Sequence, residues 1–174
     1  MNRLLTIVLA LVFIVVIALA LNVRNYLSSS VVALTEPVLY EVEAGASLSS
    51  VARELETLGV LSKPDIFVAW GRFTGQAVRI KAGEYELKVG STPKGILDQF
   101  VAGRVKLYAF TILEGWTIHD LLAALAVNPA ISSTLQELSP GARLEAVGLQ
   151  VPHLEGQFYP ETYFVPRGII DVEI

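Results

Sequence analysis

The stretch VLYEVEAGASLSSVARELETLG, residues 38–59, establishes the local pattern from which the fold can be predicted. Its first residues mix β-branched, aromatic and acidic side chains, which is typical of a strand. Gly45 can turn the chain out of that strand, and the Ser47 hydroxyl can cap a helix that begins after it. Val51 and Leu55 then follow at helical spacing and predict a face turned to a core. The stretch predicts a strand, a turn and a capped helix.

The same arrangement of glycine, spacer, hydroxyl residue and apolar helix pattern recurs twice further along the chain. Gly90 leads to Thr92, which Pro93 follows at the first helical position, where proline is favoured. Gly115 leads to Thr117, and Asp120 three residues later resembles a capping box with a shorter acid. Each copy predicts another capped helix after a strand.

The segments between these copies complete an alternation of strands and helices. A second helix is predicted from Pro64 to about Phe73, and EYELKV, residues 84–89, reads as a closing strand. The order over residues 38–87 is therefore strand, helix, helix, strand. We predict an α+β fold class.

Further elements are predicted in the second half of the chain. VKLYAFTIL, residues 105–113, has strand composition, and residues 117–126 have the apolar spacing of a helix. A short helix is predicted with Ser139 as its cap and Gly148 as its stop.

The N-terminus is strongly apolar. From Leu4 to Leu21, 18 residues carry no charge, which is nearly enough helix to cross the hydrocarbon core of a bilayer. Two alternatives stay open: a retained anchor, which the length favours, or a signal peptide cleaved after the small residues at 18–20. Arg3 and the terminal amine lie on one side of the segment and Arg24 on the other. This small excess of positive charge slightly favours an orientation with the N-terminus inside.

We therefore divide the chain into four segments. Residues 1–22 are predicted to form a transmembrane helix, and residues 23–37, polar and closed by Pro37, a tether. Residues 38–104 form a first α+β domain, and residues 105–174 begin a second one.

Composition argues against several classes of function. From Glu36 onward the chain carries 11 Lys or Arg against 17 Asp or Glu, so it lacks the basic surface of a nucleic-acid-binding protein. It has no cysteine, and its histidines, His119 and His153, stand far apart. We therefore expect no disulfide, no metal site and no cofactor.

The segment HLEGQFYPETYFVPRG, residues 153–168, is the candidate site because it places Glu155 and Glu161 among aromatic residues. Apolar surroundings raise the pKa of a carboxyl group by penalising its ionised form, which suits a general acid. Aromatic faces can also stack on sugar rings. Glycosidic bond cleavage fits this combination.

Two resemblances to known families extend this interpretation. The strand, G-x-S-L helix, second helix and closing strand resemble the LysM module, which binds N-acetylglucosamine chains. The apolar N-terminus, AGEYEL, ILEGWTIHDLLAAL and LEGQFYPETYFVP together resemble the endolytic peptidoglycan transglycosylases of the YceG-like (MltG) family. The family motif L-E-G-aromatic-x-aromatic-P-[DE]-T-Y is matched by residues 154–163, with Gln157 in place of the first aromatic residue.

The second resemblance implies a function and a set of site residues. Glu155 would be the catalytic acid, while Tyr159, Glu161 and Tyr163 would bind substrate, although the tyrosines could equally pack in a core and Glu161 could hold a local turn. The substrate would be nascent peptidoglycan glycan strands, and cleavage would leave 1,6-anhydro ends. The protein would sit in the bacterial inner membrane as a single-pass protein, with most of its chain in the periplasm and peptidoglycan synthases as partners.

A different class of function remains open. Family members continue past this motif, so the chain is expected to be incomplete and weakly active alone. The alternative is a non-catalytic, membrane-tethered module that binds glycan or serves as a scaffold.

Overall fold

A computed structural model of the chain describes residues 2–31 and 34–174. The chain divides into two compact units, residues 1–104 and 105–174. The mixed α/β composition that the sequence predicts is confirmed by the order of elements in both units.

The first unit begins with a long apolar helix, α1 (Asn2–Ser28). Its segment Leu5–Ser28, with mean hydropathy 3.0, is long and apolar enough to cross a membrane. Most of its apolar side chains are exposed, unlike those of a helix buried in a protein core. Near its end Leu27 is buried, because α1 packs there on the rest of the unit.

The rest of the first unit is a two-stranded sheet with three helices. In chain order these elements are β1 (Val38–Val42), α2 (Leu48–Thr57), α3 (Pro64–Phe73), β2 (Gly83–Leu87) and α4 (Pro93–Ala102). The strands β1 and β2 are antiparallel, with Tyr40 opposite Tyr85. The strand, helix, helix, strand order over this region agrees with the sequence prediction, while its relation to LysM modules stays a prediction.

The core of the first unit combines aromatic and aliphatic side chains from every one of these elements. Tyr85 and Phe100 are fully buried and meet edge to face, with ring centroids 4.7 Å apart. The helices begin where the hydroxyl residues predicted them to begin: Ser47 Oγ accepts from Ser50 N, and Thr92 Oγ1 accepts from Gly95 N.

The second unit contains four short strands, two α-helices and two 3₁₀ turns. They are β3 (Leu107–Thr111), α5 (Ile118–Val127), β4 (Ile131–Ser132), a 3₁₀ turn (Leu135–Glu137), α6 (Pro140–Val147), β5 (Thr162–Pro166), β6 (Ile169–Ile170) and a final 3₁₀ turn (Asp171–Glu173). The strand β3 pairs antiparallel with β5, and β4 pairs parallel with β6.

The core of the second unit lies between α5 and the β3–β5 pair. It is built from Phe110, Leu121, Leu125, Ile131 and Val165, together with partly buried neighbours. A single buried carboxylate, Asp171, ties the end of this unit to residues 133–135.

The predicted tether differs from the structure. The helix α1 continues through Ser28, and Val31 and Leu34 are buried, so much of residues 23–37 is attached to the first unit instead of hanging free. The polar composition that suggested a tether instead marks the end of the helix and its turn onto the domain. Val32 and Ala33, which the same prediction includes, lie outside the described residues.

Candidate functional site

The candidate site is a turn-rich segment that crosses the end of the β3–β5 pair. Residues 151–161 form no helix or strand, in keeping with Pro152 and Pro160, and they lead directly into β5. The backbone N–H of Ile112 donates to the carbonyl of Glu161 at 2.9 Å, which extends the pairing of β3 and β5 by one step. The segment is thus held at the edge where β3 turns toward α5.

The N-terminus of α5 faces this segment. The turn after β3 closes with a bond from Trp116 N to Leu113 O, and Thr117 then caps the helix. Asp120 completes a capping box, since its Oδ2 accepts from Thr117 N at 3.0 Å and from Thr117 Oγ1 at 2.6 Å. The side-chain bond to Thr117, followed by the backbone bond, lowers the pKa of Asp120.

Glu155 is brought to this helix terminus from 37 residues away. Its Oε2 accepts a hydrogen bond of 3.0 Å from the backbone N–H of Ile118, the first residue of α5. Such a group has no partner within the helix, and the positive end of the helix dipole lies beside it. The contact therefore fixes one oxygen of the carboxyl group and leaves the other available.

The surroundings of Glu155 differ from those that the sequence predicts. The aromatic neighbours in the sequence suggested a poorly solvated carboxyl group, whereas the Glu155 side chain is exposed. The adjacent Leu154 is the residue that turns inward and is buried. Gly156 has a positive φ of 73°, and the Gln157 N–H bonds back to the Leu154 carbonyl, so a tight turn points Glu155 outward while anchoring Leu154.

The two tyrosines of the segment have different environments. Tyr163 lies on β5 opposite Phe110 and packs against the core of the unit, so it is half-buried. Tyr159 is 78% exposed, and its carbonyl accepts a hydrogen bond of 3.2 Å from the Tyr163 hydroxyl. Of the two, Tyr159 presents a ring that a ligand can reach, and Tyr163 holds the loop that carries it.

Glu161 is held through its backbone. Its carbonyl accepts from Ile112 N, and its side chain is exposed immediately before β5. The next residue, Thr162, pairs with Thr111, and their hydroxyl oxygens lie 2.9 Å apart. The position of Glu161 at the start of a paired strand agrees with the structural role that the sequence left open for it.

A small apolar cavity of about 160 Å³ lies inside the second unit next to this segment. Its walls include Ile118, Leu154, Phe158 and Tyr163. The buried side chains of the site segment and of the α5 N-terminus therefore line the same apolar cavity. Glu155 and Tyr159 are not part of its lining.

The sequence missed the partner of Glu155. It predicted the cap at Thr117 and singled out Glu155, but it did not bring the two together. The only signal was indirect: a capped helix after a strand leaves N–H groups that need acceptors, and Glu155 stands at a turn before a strand.

Other titratable residues in the second unit have simpler surroundings. Glu114, His119 and His153 are exposed, with Glu114 in the turn before α5 and His119 on that helix. Within residues 2–31 and 34–174, no group of three histidine or acidic side chains could hold a metal ion.

Comparison with known proteins identifies a family. The model of the YceG-like family matches residues 40–174. Among curated proteins, no relative matches the sequence.

A solved structure of a yceG-like protein from Listeria monocytogenes also matches. The two chains are 22% identical, and the match covers 74% of this chain and 47% of the other, with a TM-score of 0.42. The match thus spans about half the length of that solved protein.

Proposed function

Because the chain belongs to the YceG-like family, we propose that it is part of a membrane-anchored lytic transglycosylase of nascent peptidoglycan. The substrate would be the β-1,4 bond between N-acetylmuramic acid and N-acetylglucosamine within a strand. The observation that carries this proposal is Glu155, a carboxyl group fixed by one oxygen to the N-terminus of α5 on the same loop as the exposed ring of Tyr159.

In this mechanism one carboxyl group acts twice. The oxygen of Glu155 that is not bonded to Ile118 donates its proton to the bridging oxygen as the bond from C1 to that oxygen breaks. The carboxylate then takes the proton of the muramic C6 hydroxyl, whose oxygen forms a new bond to C1. The products are a 1,6-anhydro end and a free C4 hydroxyl, Glu155 regains its proton, and no water is consumed.

The contact with α5 suits the second of these steps. After the proton has left, Glu155 carries a negative charge, which the N–H of Ile118 and the helix dipole stabilise. When substrate is bound, the sugar and the Tyr159 ring would displace water from the exposed carboxyl group. Tyr159, Glu161 and Tyr163 remain our candidates for substrate binding. Tyr159 would contact the substrate directly, and Glu161 and Tyr163 would hold the loop that carries it.

The test uses the natural gene product that carries this sequence, incubated with purified glycan strands. Mass spectrometry should find new 1,6-anhydro ends within strands. Ordinary reducing ends would instead indicate hydrolysis and contradict the mechanism. Glu155→Gln should abolish the product, whereas Glu114→Gln, a matched control at an exposed glutamate that is also followed by glycine, should retain it.

Anchoring is the second part of the proposal. The length and hydropathy of Leu5–Ser28 support a single membrane crossing. The periplasmic side for the residues that follow it is proposed from the family resemblance and from Arg3 and the terminal amine, which slightly favour an N-terminus on the inside. The protein should stay with the membrane after an alkaline carbonate wash and enter solution only in detergent. Release by the wash would contradict a spanning helix. Contact with peptidoglycan synthases follows from the family resemblance alone and is also a proposal.

A glycan-binding role for the first unit is a second candidate. The order of β1, α2, α3 and β2 favours it, because that order resembles a LysM module. Chitooligosaccharide should then bind the chain and should bind equally well after Glu155→Gln. Absence of binding would leave the first unit as a spacer between membrane and catalytic unit.

A further inference from the structure

An open apolar groove of about 710 Å³ runs between α1 and α3 in the first unit. One wall is formed by Val16, Leu19 and Val23 of α1, and the other by Trp70 and Phe73 near the end of α3. Phe73 is 85% exposed, an unusual state for a phenylalanine on a folded domain.

The orientation of α1 against the first unit is fixed by contacts at its end. Leu27 is 3% exposed, Lys63 N donates to the Tyr26 hydroxyl at 3.3 Å, and Val31 N donates to Ser91 O at 2.8 Å. The end of α1 is thus attached to the domain, so the position of that helix sets the position of the domain.

The position of the groove along α1 determines what surrounds it. The apolar run from Leu4 to Leu21 extends about 27 Å as a helix, close to the thickness of the hydrocarbon core. Val16 and Leu19 then lie inside that core, and Val23 lies at its boundary. The groove runs along α1 from Val16 to Ser28, so it crosses that boundary, and Trp70 and Phe73 form its other wall. Aromatic side chains are favoured at this boundary.

The charges at the groove agree with a lipid occupant. Arg24, one residue beyond Val23, and Lys94, at the start of α4, both line the groove. Lys94 is also bonded to Asp98 at 2.6 Å, so Arg24 is the more available cation. A cation directly above an apolar groove matches a phospholipid, whose phosphate sits above its acyl chains.

We propose that this groove is filled by phospholipid of the leaflet from which α1 emerges, so that the C-terminal turn of α3 inserts into the membrane interface. The proposal rests on the anchoring role of α1 proposed above. It places the first unit directly on the bilayer surface, held by two elements, α1 and α3, instead of one.

The test measures fluorescence quenching by lipids brominated either near the top or near the end of their acyl chains, using the full-length chain in vesicles. The native tryptophans are Trp70 and Trp116. With Trp116→Phe, Trp70 should show a blue-shifted emission and lose most of its intensity in brominated vesicles. Two controls use a background with both tryptophans replaced by Phe: Phe13→Trp reports on α1, and Leu39→Trp reports on an exposed position of β1 outside the groove.

Quenching of Trp70 and of Phe13→Trp, with none for Leu39→Trp, supports the proposal. Quenching of Phe13→Trp without quenching of Trp70 overturns lipid docking but leaves the anchor intact, and absence of both overturns the anchor as well. Because the chain has no cysteine, Phe73→Cys adds a single thiol. Disulfide crosslinking between copies, with Trp70 unquenched, would assign the groove to a second copy and also overturn the proposal.

Discussion

The backbone N–H of Ile118 donates a hydrogen bond of 3.0 Å to Oε2 of Glu155, and this bond joins two segments that are 37 residues apart. It connects the start of α5 to the turn before β5. Because only one carboxyl oxygen is engaged, the contact orients the group without occupying it. A structural role and a chemical role for Glu155 can therefore be separated by substitution.

Glu155→Gln is expected to keep the fold and lose the reaction. The amide oxygen can still accept from Ile118 N, so thermal unfolding should be close to that of the wild type. A glutamine cannot deliver a proton, and activity on glycan strands should fall by about 100-fold or more. Glu155→Ala should lose the same activity and also lower the melting temperature. Equal activity of Glu155→Gln and wild type would remove Glu155 from the mechanism.

The local elements followed from the sequence because their signals are local. The hydroxyl residues Ser47, Thr92, Thr117 and Ser139 all cap the helices that they predict. A cap needs only a few neighbouring residues to form, so a short stretch contains the whole cause.

The surroundings of Glu155 could not be predicted from the sequence, because they depend on contacts between residues that are distant in sequence. Aromatic neighbours in the chain do not guarantee burial: the turn at Gly156 directs Leu154 inward and Glu155 outward. The end of α1 was missed for a similar reason. Residues 23–31 have the composition of a linker, but Leu27 and Val31 find apolar partners that composition alone does not show.

Asp171 is expected to stabilise the second unit as an ionised group. It is 4% exposed, and its oxygens accept from Leu135 N, Thr134 N and Oγ1, and Ser133 Oγ. Burial works to raise its pKa, but these hydrogen bonds outweigh burial, and the pKa lies below the ordinary 3.8. Asp171→Asn turns an acceptor into a donor and should destabilise the unit by about 2 kcal/mol or more in urea unfolding.

The pH dependence of this contribution has a defined sign. A lowered pKa in the folded state means that the stabilisation is present above the unfolded pKa near 4 and is lost as pH falls further. Wild type should therefore lose more stability than Asp171→Asn on acidification below about pH 4. As a control, Ser133→Ala removes one bond and should cost about 1 kcal/mol. Parallel acid profiles of wild type and Asp171→Asn would contradict this assignment.

Tyr40 should make the first unit sensitive to alkali. Its hydroxyl donates to Glu54 Oε2 at 2.7 Å. Burial, and then this bond to Glu54, raise the pKa of Tyr40 above 10.0. The neutral form is favoured in the folded state, so stability is complete below the unfolded pKa of about 10 and is lost as pH rises beyond it.

Tyr40→Phe tests both parts of this expectation. Loss of the hydrogen bond should cost about 1 kcal/mol at neutral pH, measured by urea unfolding. The variant should also lose less stability than wild type between about pH 9 and pH 12, because the group that ionises is gone. Tyr85 has a raised pKa too, owing to burial, so Tyr85→Phe serves as the comparison. An unchanged alkaline profile in Tyr40→Phe would exclude Tyr40 as the sensitive group.

Substitution by alanine should change the free energy of unfolding in opposite directions at two glycines that lie in helices. Gly71 is buried in α3, and a Cβ there would overlap with Leu48 Cδ2 and approach Leu97 Cδ2 at 3.5 Å. Gly141 in α6 is exposed, and a Cβ there would meet nothing within 4 Å. Alanine gains up to about 1 kcal/mol of helix propensity over glycine, so the local preference alone favours both changes.

At Gly71 the overlap is expected to outweigh that gain. Displacing Leu48 from a packed core costs about 1–3 kcal/mol, so Gly71→Ala should lower the free energy of unfolding, whereas Gly141→Ala should raise it by about 0.5 kcal/mol. Urea unfolding of both variants measures the difference, with Trp70 fluorescence reporting on the first unit, which contains Gly71, and Trp116 fluorescence on the second, which contains Gly141. Stabilisation by Gly71→Ala would mean that α2 and α3 do not pack as closely as Gly71 and Leu48 indicate.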